Sequence, residues 1–470
     1  MAMSAEQAAA KARELERFQE AERNELDVLR RYWLGKQRLP AVIPTSAPHE
    51  VREMARTARV NVIDIVINSL TQSLFVDGFR ARDEKSGDDI TVPVWRAWVA
   101  NRMNKHQSGL HRAAVAYGTS YTVVTPGEPV PVIRPVSPRL LTAVYGEDPD
   151  WPVWALEKRP RTGDWRLYDD EMVYPLARTD SGWTLTGDPW AHRAGRTPVV
   201  RYRDAEDLDL DDDAESELAA IGGSVCKVVT GQVAPLMTLQ DQINLTSFSL
   251  KAAEWYSAFR QRWIVGWAPG SADEKMQAAA SQLWTFDDQP EDVKLGEFGE
   301  TNLSGYLSSR ESALKYAATL SQTPVHELVG ELVNLSAEAL AAAEAGRDRK
   351  VDERKTGFGE SHEQTLQLAG QMMGVDIPDD AQVIWRDTSA RSFAATVDGL
   401  GKLAQMLGVP QQELWDRIPG VKQQDIRRWK ETAQQGDALA DLTAMLERQA
   451  SGTAVGGERT SPGGLILPGA

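Results

Sequence analysis

The sequence predicts an α+β fold that is mainly helical, and two observations support this. Residues before 120 and after 235 contain long stretches whose apolar positions recur at helical spacing. Between them, from 120 to 202, the sequence changes to short β-rich runs separated by turn residues. With 470 residues, the chain is long enough for two to four domains with substantial cores.

Composition indicates an acidic globular protein. Hydrophobic residues are 42% and charged residues 26% of the chain, and no apolar run reaches the roughly 18 residues of a membrane span. We therefore expect a soluble protein without a membrane partner. Cys226 is the only cysteine, so we expect no internal disulfide and a cytoplasmic site of assembly. The net charge of −16 argues against tight, general DNA binding, although DNA could still slide past such a surface.

The N-terminal part predicts three helices. They cover residues 5–34, Glu50 to Leu74, and Pro93 to Tyr117, with Gly118 ending the third. Arg52, Arg56 and Arg59 lie on the second of these, away from its apolar stripe. They could contact phosphate, but such arginines more often form a solvated or ion-paired face.

The middle region predicts a small β-domain rich in tryptophan. Its runs are Tyr121–Val124, Val130–Val136, Val153–Leu156, Trp165–Tyr168, Met172–Tyr174, Trp183–Thr186 and Val199–Tyr202. A carbohydrate-binding surface could use its tryptophans, which are Trp151, Trp154, Trp165, Trp183 and Trp190. We favour a role in the core and in subunit contacts, because a small sheet lacks depth.

Two long helices follow, with an irregular segment between them. The patterns predict helices over 235–263 and 304–322, and a possible strand at Leu283–Phe286 in the segment between. This is the pattern of a helical hairpin with a small lobe at its tip.

A break at Thr323-Pro324 separates the hairpin from a short helix that ends near Leu332. Within it, Glu327 and Glu331 are four residues apart and would share one helix face.

A long helix is predicted from Ser336 to Met373, a span of about 57 Å, with a bend at Gly357–Gly359. Its apolar positions are sparse, so we expect either a solvated coiled-coil arm or packing against copies of itself in a ring. A strand at Val383–Trp385 and helices at Phe393–Leu407, 411–418 and 422–449 complete the ordered part, and 451–470 is expected to be disordered.

Motifs for common chemistries are missing. The sequence has no GxxxxGK[ST] loop for phosphate and no GxSxG nucleophile turn. His326-Glu327 and His362-Glu363 resemble the start of a zinc helix, but neither has the second histidine four residues after the first. We therefore expect no catalytic residues, no metal, no cofactor and no enzymatic activity.

Several motifs together resemble one known family. They are Pro235-Leu236-Met237, QDQIN (240–244), FRQRWIVGW (259–267), LGEFGETNLSGYL (295–307), SQTP (321–324), LSAEAL (335–340) and the stretch 350–359. This combination resembles the portal proteins of tailed double-stranded-DNA phages, and is similar to the Gp6-like type of actinobacterial phages. The resemblance covers roughly residues 25 to 435.

The resemblance implies a portal fold assembled as a cyclic ring, with a homo-dodecamer expected. The implied segments are an N-terminal helix and linker (1–48), a wing with a β-rich subdomain (49–234), stem helices (235–263 and 304–323), a clip (264–303), a tunnel loop (324–335), a long wing helix and strand (336–388), a helical crown (389–450) and a tail (451–470). The channel would pass DNA during packaging and ejection.

The resemblance also implies partners. These are further copies of the chain, the large terminase motor, the major capsid protein and scaffold, a head-tail adaptor, and double-stranded DNA held weakly and without sequence preference. The protein would be assembled in the host cytoplasm and reside in the virion. The hypothesis for the channel wall is the set Glu327, Glu331, Val333 and Asn334. The alternative is a coiled-coil adaptor or scaffold without a channel; a nuclease-like packaging enzyme is disfavoured by the missing phosphate loop.

Overall fold

The structure is a computed structural model of the chain. It describes residues 3–38, 43, 46–81, 90–205, 231–258, 262–265, 294–297, 302–330, 337–386, 393–415, 418, 421, 425–426, 428–430 and 432–433. The chain divides into two compact units, Met1–Trp385 and Arg386–Ala470. Among the described residues, no helix is long and apolar enough to cross a membrane.

The first unit alternates helical regions with sheets. Its described helices are α1 (Ala5–Trp33), α2 (His49–Thr57), α3 (Val62–Thr71), α4 (Thr91–Ala100), α5 (Met103–Tyr117), α6 (Met237–Ala258), α7 (Ser304–Ser321), α8 (Val325–Val329) and α9 (Ala337–Met373). A 3-10 turn, Ala234–Leu236, leads into α6. The predicted helices over 5–34 and 304–322 are thus confirmed.

The described strands pair only in antiparallel fashion. They are β1 (Val76–Arg80), β2 (Thr119–Thr125), β3 (Val132–Val136), β4 (Leu141–Tyr145), β5 (Pro152–Lys158), β6 (Trp165–Tyr168), β7 (Met172–Thr179), β8 (Gly182–Leu185), β9 (Trp190–Ala191), β10 (Val199–Arg203), β11 (Arg262–Val265), β12 (Lys294–Glu297) and β13 (Gln382–Trp385). Sequence patterns predict most of these, but miss β1, β4, β9, β11 and β12.

Two sheets form what we call the β-lobe, strands β2 to β10. One sheet has the order β10-β2-β3, and the other runs β4 to β8 with β9 paired to β7. Helix α1 lies across the second sheet, where Ala12 and Leu15 are buried against Trp165 and Trp183. These two tryptophans are therefore core residues, as predicted. The indole Nε1 of Trp183 donates a hydrogen bond of 3.0 Å to Glu16 of α1.

The predicted helix over Glu50 to Leu74 is wrong as one element, because it breaks between α2 and α3. The amides of the break bond to side chains of α6. Asn244 accepts from the Val60 amide at 3.0 Å and Gln240 from the Val62 amide at 3.0 Å, and the Gln240 side chain donates to the Val60 carbonyl at 2.6 Å. The break is stable because the side-chain amides of Gln240 and Asn244 bond to backbone groups that have no helical partner there.

The predicted helix over Pro93 to Tyr117 is also two helices, α4 and α5. Arg102 lies between them with a φ of 55°. Asn101 stabilises the break, since its side chain donates to Pro131 at 2.7 Å and accepts from the Ile133 amide at 3.0 Å. The predicted stop at Gly118 is confirmed, with a φ of 90°.

The long helix α9 continues through Gly357 and Gly359 without interruption. From Lys350 onwards one side is buried, including Val351, Phe358 and Leu366, against β2, β10, β13 and α4. The expectation of a solvated arm is therefore wrong over the C-terminal half of the helix, because the chain's own strands cover one side of it. Packing against further copies of the chain stays a prediction. An added Cβ at Gly359 would lie 3.6 Å from Trp385, an ordinary van der Waals distance, so the contact does not require glycine at this position.

Helices α6 and α7 lie against each other. The prediction that the first helix reaches Trp263 is wrong, because strand β11 begins at Arg262 and pairs with β12. The β-branched and aromatic residues of this strand favour the extended form. The possible strand at Leu283–Phe286 lies outside the described residues.

The second unit contains α10 (Phe393–Leu407) and α11 (Gln411–Leu414). The first confirms a prediction; the second is shorter than the predicted 411–418. Trp415 and Trp429 meet edge to face at 5.9 Å. Cys226, most of the predicted helix 422–449 and the tail after 451 lie outside the described residues.

Candidate functional site

The short helix α8 is the centre of the site predicted from sequence. Pro324 precedes it, and Gly330 ends it with a φ of 78°. Glu331, Val333 and Asn334 lie outside the described residues. Because the helix ends at Val329, the expectation that Glu327 and Glu331 share a helical face is wrong. Glycine favours this left-handed conformation, so Gly330 is the physical reason for the early end.

Glu327 faces α9 and forms an ion pair there. An Nη atom of Arg347 lies 2.7 Å from Glu327 Oε1, and the two side chains are 17% and 24% exposed. Arg347 also lies 3.5 Å from Glu344 and 3.4 Å from Asp348. The charge of Glu327 is thus largely balanced within its own chain.

Arg52 and Arg56 lie on the surface of α2, and Arg59 follows just after the helix ends at Thr57. Arg56 Nε is 3.1 Å from Glu53 Oε2, and both side chains are exposed. Arg52 is exposed, whereas Arg59 is half-buried. Burial, followed by the charge of Arg56, lowers the pKa of the Arg59 guanidinium. The ion-paired role therefore applies to Arg56.

A polar junction lies where α7 ends. The Lys350 ammonium of α9 donates to the Ser321 carbonyl at 2.9 Å and to the Gln232 side chain at 2.5 Å. Gln232 in turn donates to Asp204 at 2.5 Å. Arg354, one turn further along α9, lies 3.2 Å from Asp204, and both side chains are almost fully buried.

Burial has the largest effect on the pKa of Lys350 in this junction. Burial, followed by repulsion from Arg354, lowers the pKa of the Lys350 ammonium to about 8. The amine keeps hydrogen atoms for both of its acceptors when it is neutral. The contact with the Ser321 carbonyl also places a cation at the C-terminal end of α7, where the helix dipole favours one.

Sequence reasoning missed a second polar network, which is fully buried. His362 of α9 lies with its Nε2 2.8 Å from Nε2 of His111. Its Nδ1 lies 2.9 Å from the hydroxyl of Tyr202. His111 Nδ1 lies 3.1 Å from the Leu74 carbonyl. The two histidines are 251 residues apart, so no local spacing could have indicated them.

The hydrogen-bond partners fix the tautomers. A carbonyl only accepts, so His111 donates from Nδ1 to Leu74, and a neutral His111 ring then accepts at Nε2. His362 then donates from Nε2 and accepts at Nδ1 from Tyr202. This order requires both rings to be neutral. Burial lowers the pKa of His111 to about 4, and burial together with His111 lowers that of His362 well below its usual value.

The described residues contain no group of three or more histidine, cysteine or acidic side chains suited to a metal ion. His362 and Glu363, the beginning of a zinc-type motif in sequence, point to different partners. His362 bonds with His111, whereas Glu363 accepts a hydrogen bond from the Val383 amide at 2.9 Å.

Comparison with known proteins identifies the family. The family described as "Phage portal protein, SPP1 Gp6-like" matches residues 13–438. Proteins named Portal protein from Mycobacterium phages D29 and L5 are each 25% identical, over 431 and 435 residues, covering 84% of this chain and 83% of the relative.

Solved structures give a weaker likeness. A chain from the virion of a native gene transfer agent particle aligns with a TM-score of 0.44 at 14% identity, covering 78% of this chain and 91% of that one. A chain from the neck of an empty particle of that type, computed with C6 symmetry, gives 0.46 at 13% identity with the same coverage.

The family match extends over most of the chain. The chain therefore belongs to the phage portal protein family, whose members form the DNA channel at one vertex of the capsid.

Proposed function

We propose that copies of this chain close into a ring around a central channel, and that twelve copies form it. The family match supports a channel role, and identical chains most often assemble with closed symmetry. Genomic DNA would pass through this channel during packaging and ejection.

The observation that carries the ring is the apolar surface of α6 and α7. Trp255, Leu307, Tyr316 and Leu320 are each more than half exposed. Tyr316 and Leu320 are four residues apart and share one face of α7, and exposed large apolar side chains that lie together are typical of contact surfaces. A neighbouring copy of the same helix pair would cover them.

This proposal assigns a role to each segment of the chain. The stem segments 235–263 and 304–323 contain α6 and α7, with α6 ending at Ala258 and β11 beginning at Arg262, and the clip at 264–303 contains the end of β11 and all of β12. The wing comprises 49–234 and 336–388, preceded by 1–48, and a crown occupies 389–450. The short helix α8 belongs to a tunnel loop at 324–335.

We place this tunnel loop at the narrowest part of the channel, with Glu327, Glu331, Val333 and Asn334 in or near its wall. The ion pair with Arg347 modifies the electrostatic part of this proposal. Glu327 is balanced within the chain, so α8 would present a nearly neutral surface to phosphate rather than an acidic ring. A neutral wall still conducts DNA without holding it.

The proposed partners follow from the role. They are the large terminase motor, the major capsid protein and scaffold, the head-tail adaptor and DNA in transit, with assembly in the host cytoplasm. We expect no catalytic activity and no cofactor, since the role is structural.

Negative-stain images of the purified full chain test the ring. We expect closed rings with a central hole. Rods, or monomers at every protein and salt concentration, would contradict the proposal and favour an adaptor without a channel.

Binding of the purified protein to duplex DNA tests how the channel holds DNA. Because the net charge is −16, we expect weak binding that fades with added salt. A tight, salt-insensitive complex with a defined sequence would contradict the proposal.

A further inference from the structure

Three cations of α9 lie on one side of the helix and are here called the cation ladder. They are Arg347, Lys350 and Arg354, at positions i, i+3 and i+7, so they follow one face over two turns. Each one contacts a different part of the chain.

The first member, Arg347, holds the short helix α8. Its guanidinium donates to Glu327 at 2.7 Å, and both side chains are mostly buried. Helix α8 has only five residues, and isolated helices of this length are unstable in water. Its position therefore depends on tertiary contacts such as this pair.

The second member, Lys350, holds the end of α7. It bonds to the carbonyl of Ser321, the last residue of that helix. Gln322 follows in the left-handed conformation with a φ of 57°, which is unusual for a residue other than glycine. The chain turns here from α7 towards α8, and Lys350 contacts the turn.

The third member, Arg354, holds the end of β10 through Asp204. Gln232 links the second and third contacts, because its amide accepts from Lys350 and donates to Asp204. Gln232 lies just before the 3-10 turn that leads into α6. The ladder thus connects the approaches to both helices of the hairpin with the last strand of the β-lobe.

We propose that the cation ladder is the positioning device of the tunnel loop: it sets where α8 lies relative to α7 and β10, with Arg347 as the residue that holds α8. This rests on the proposed function only in assigning α8 to the channel. Arg347 is thus a positioning residue, and it acts through Glu327.

Arg349 offers a matched control on the same helix. It is exposed, and its Nε donates to the Ala345 carbonyl of its own helix at 3.1 Å. Arg349→Met removes an arginine side chain within one helical turn of Arg347 and Lys350, and it leaves every ladder contact in place.

Hydrogen exchange measured by mass spectrometry on assembled full-length protein tests the ladder, using Arg347→Met, Lys350→Met and Arg349→Met. With Arg347→Met we expect about tenfold faster exchange at the amides of Glu327 and Gly330, which bond within α8. With Lys350→Met the faster amides should be those of Gln322 and Thr323, at the end of α7. Arg349→Met should change neither set.

A charge-conserving substitution separates positioning from general stability. Arg347→Lys keeps a cation beside Glu327, Glu344 and Asp348, so it should retain most of the wild-type protection in α8, whereas Arg347→Met should not. The ladder is overturned if Arg347→Met exchanges like Arg349→Met, if both ladder variants loosen the same peptides equally, or if Arg347→Lys loosens α8 as much as Arg347→Met.

The yield of DNA-filled capsids from phage carrying these substitutions tests the channel assignment separately. We expect Arg347→Met to lower the yield several-fold and Arg349→Met to leave it unchanged. Faster exchange in α8 with a normal yield would support the ladder and contradict the placement of α8 in the channel wall.

Discussion

The β-lobe and the surroundings of α9 use charged and polar side chains in contrasting ways. In the β-lobe, Arg134 and Glu157 form a two-point ion pair at 2.7 and 2.8 Å, and they are 23 residues apart. Tyr168 adds a hydrogen bond of 2.6 Å from 11 residues away. Around α9, Arg354 and Asp204 are 150 residues apart, and His111 and His362 are 251 apart.

This difference predicts how each region responds to damage. The pair of Arg134 and Glu157 joins residues that are close in sequence, so its loss should reduce stability locally within the lobe. The surroundings of α9 join segments from the whole first unit, so a lost contact there should change the relative positions of several elements. The following predictions test this contrast.

The largest effect is expected from Arg134→Met in the β-lobe. Burial alone would raise the pKa of the Glu157 carboxyl, but the bonds from Arg134 and Tyr168 outweigh it and lower that pKa. Without Arg134 the buried charge loses its hydrogen-bonded cation, and we expect a loss of about 3 kcal/mol in urea unfolding followed by tryptophan fluorescence.

Arg159→Met is the control for this change, because both Arg159 and Asp164 are partly exposed, at 27% and 28%, and their pair at 3.2 Å should contribute less than about 1 kcal/mol. Hydrogen exchange should change only within the lobe for Arg134→Met. A change that extends to α9 would contradict the local character of the lobe.

The next largest effect is a loss of stability at acidic pH, which we expect from His111. Its pKa lies near 4 in the folded chain and at 6.5 when unfolded, so the unfolded state binds more protons between these values. Stability is therefore full above pH 6.5 and falls as the pH decreases towards 4. Between pH 6.5 and 5 we expect a loss of about 2 kcal/mol from His111.

Thermal unfolding against pH measures this loss, with His111→Gln as the variant, since an amide can donate to Leu74 and accept from His362. His111→Gln should flatten the decline, and His106→Gln, at an exposed position of the same helix, should not. Parallel curves for His111→Gln and the wild type would exclude His111 as the source.

Lys350 should give a smaller effect in the alkaline range. Its pKa is about 8 when folded and 10.5 as the ordinary value, so the unfolded state binds more protons in this window. Stability should therefore rise with pH there, by about 1 kcal/mol between pH 8 and 9 relative to Lys350→Met. The midpoints of urea unfolding measure this rise in stability, and Lys355→Met is the control that should retain it. An equal rise in Lys350→Met would show that Lys350 is not its source.

The smallest effect on stability is expected for Glu327→Gln. The pair with Arg347 is partly exposed, so its loss should change the free energy of unfolding by less than about 1 kcal/mol. Rings should still form, as judged by gel filtration, while hydrogen exchange in α8 increases. Loss of the ring in this variant would show that Glu327 supports assembly rather than the position of α8.

The same contrast explains what could be predicted from the sequence. In the β-lobe, turn residues and β-branched runs are local signals, and β6 occupies the predicted Trp165–Tyr168. Strand β4 was missed because its pattern is short and follows directly on Pro138 and Arg139. Local patterns also located the ends of α7 and α10.

Elements whose form depends on distant partners were predicted poorly. The break between α2 and α3 exists because Gln240 and Asn244 bond to its backbone from about 180 residues away in sequence. The burial of α9 depends likewise on β2, β10 and β13. At the candidate site, Glu327 could be selected from its place after the proline break, but its partner Arg347 had no sequence signal.

A cryo-electron microscopy map of the assembled full-length protein tests the central claim most directly. We expect a closed ring with α6 and α7 of neighbouring copies in contact, and with Val325–Val329 at the narrowest part of the central channel. In such a map, Arg347 and Glu327 should remain within ion-pair distance in each copy. An open assembly, or a ring in which α8 lies on the outer surface, would contradict it.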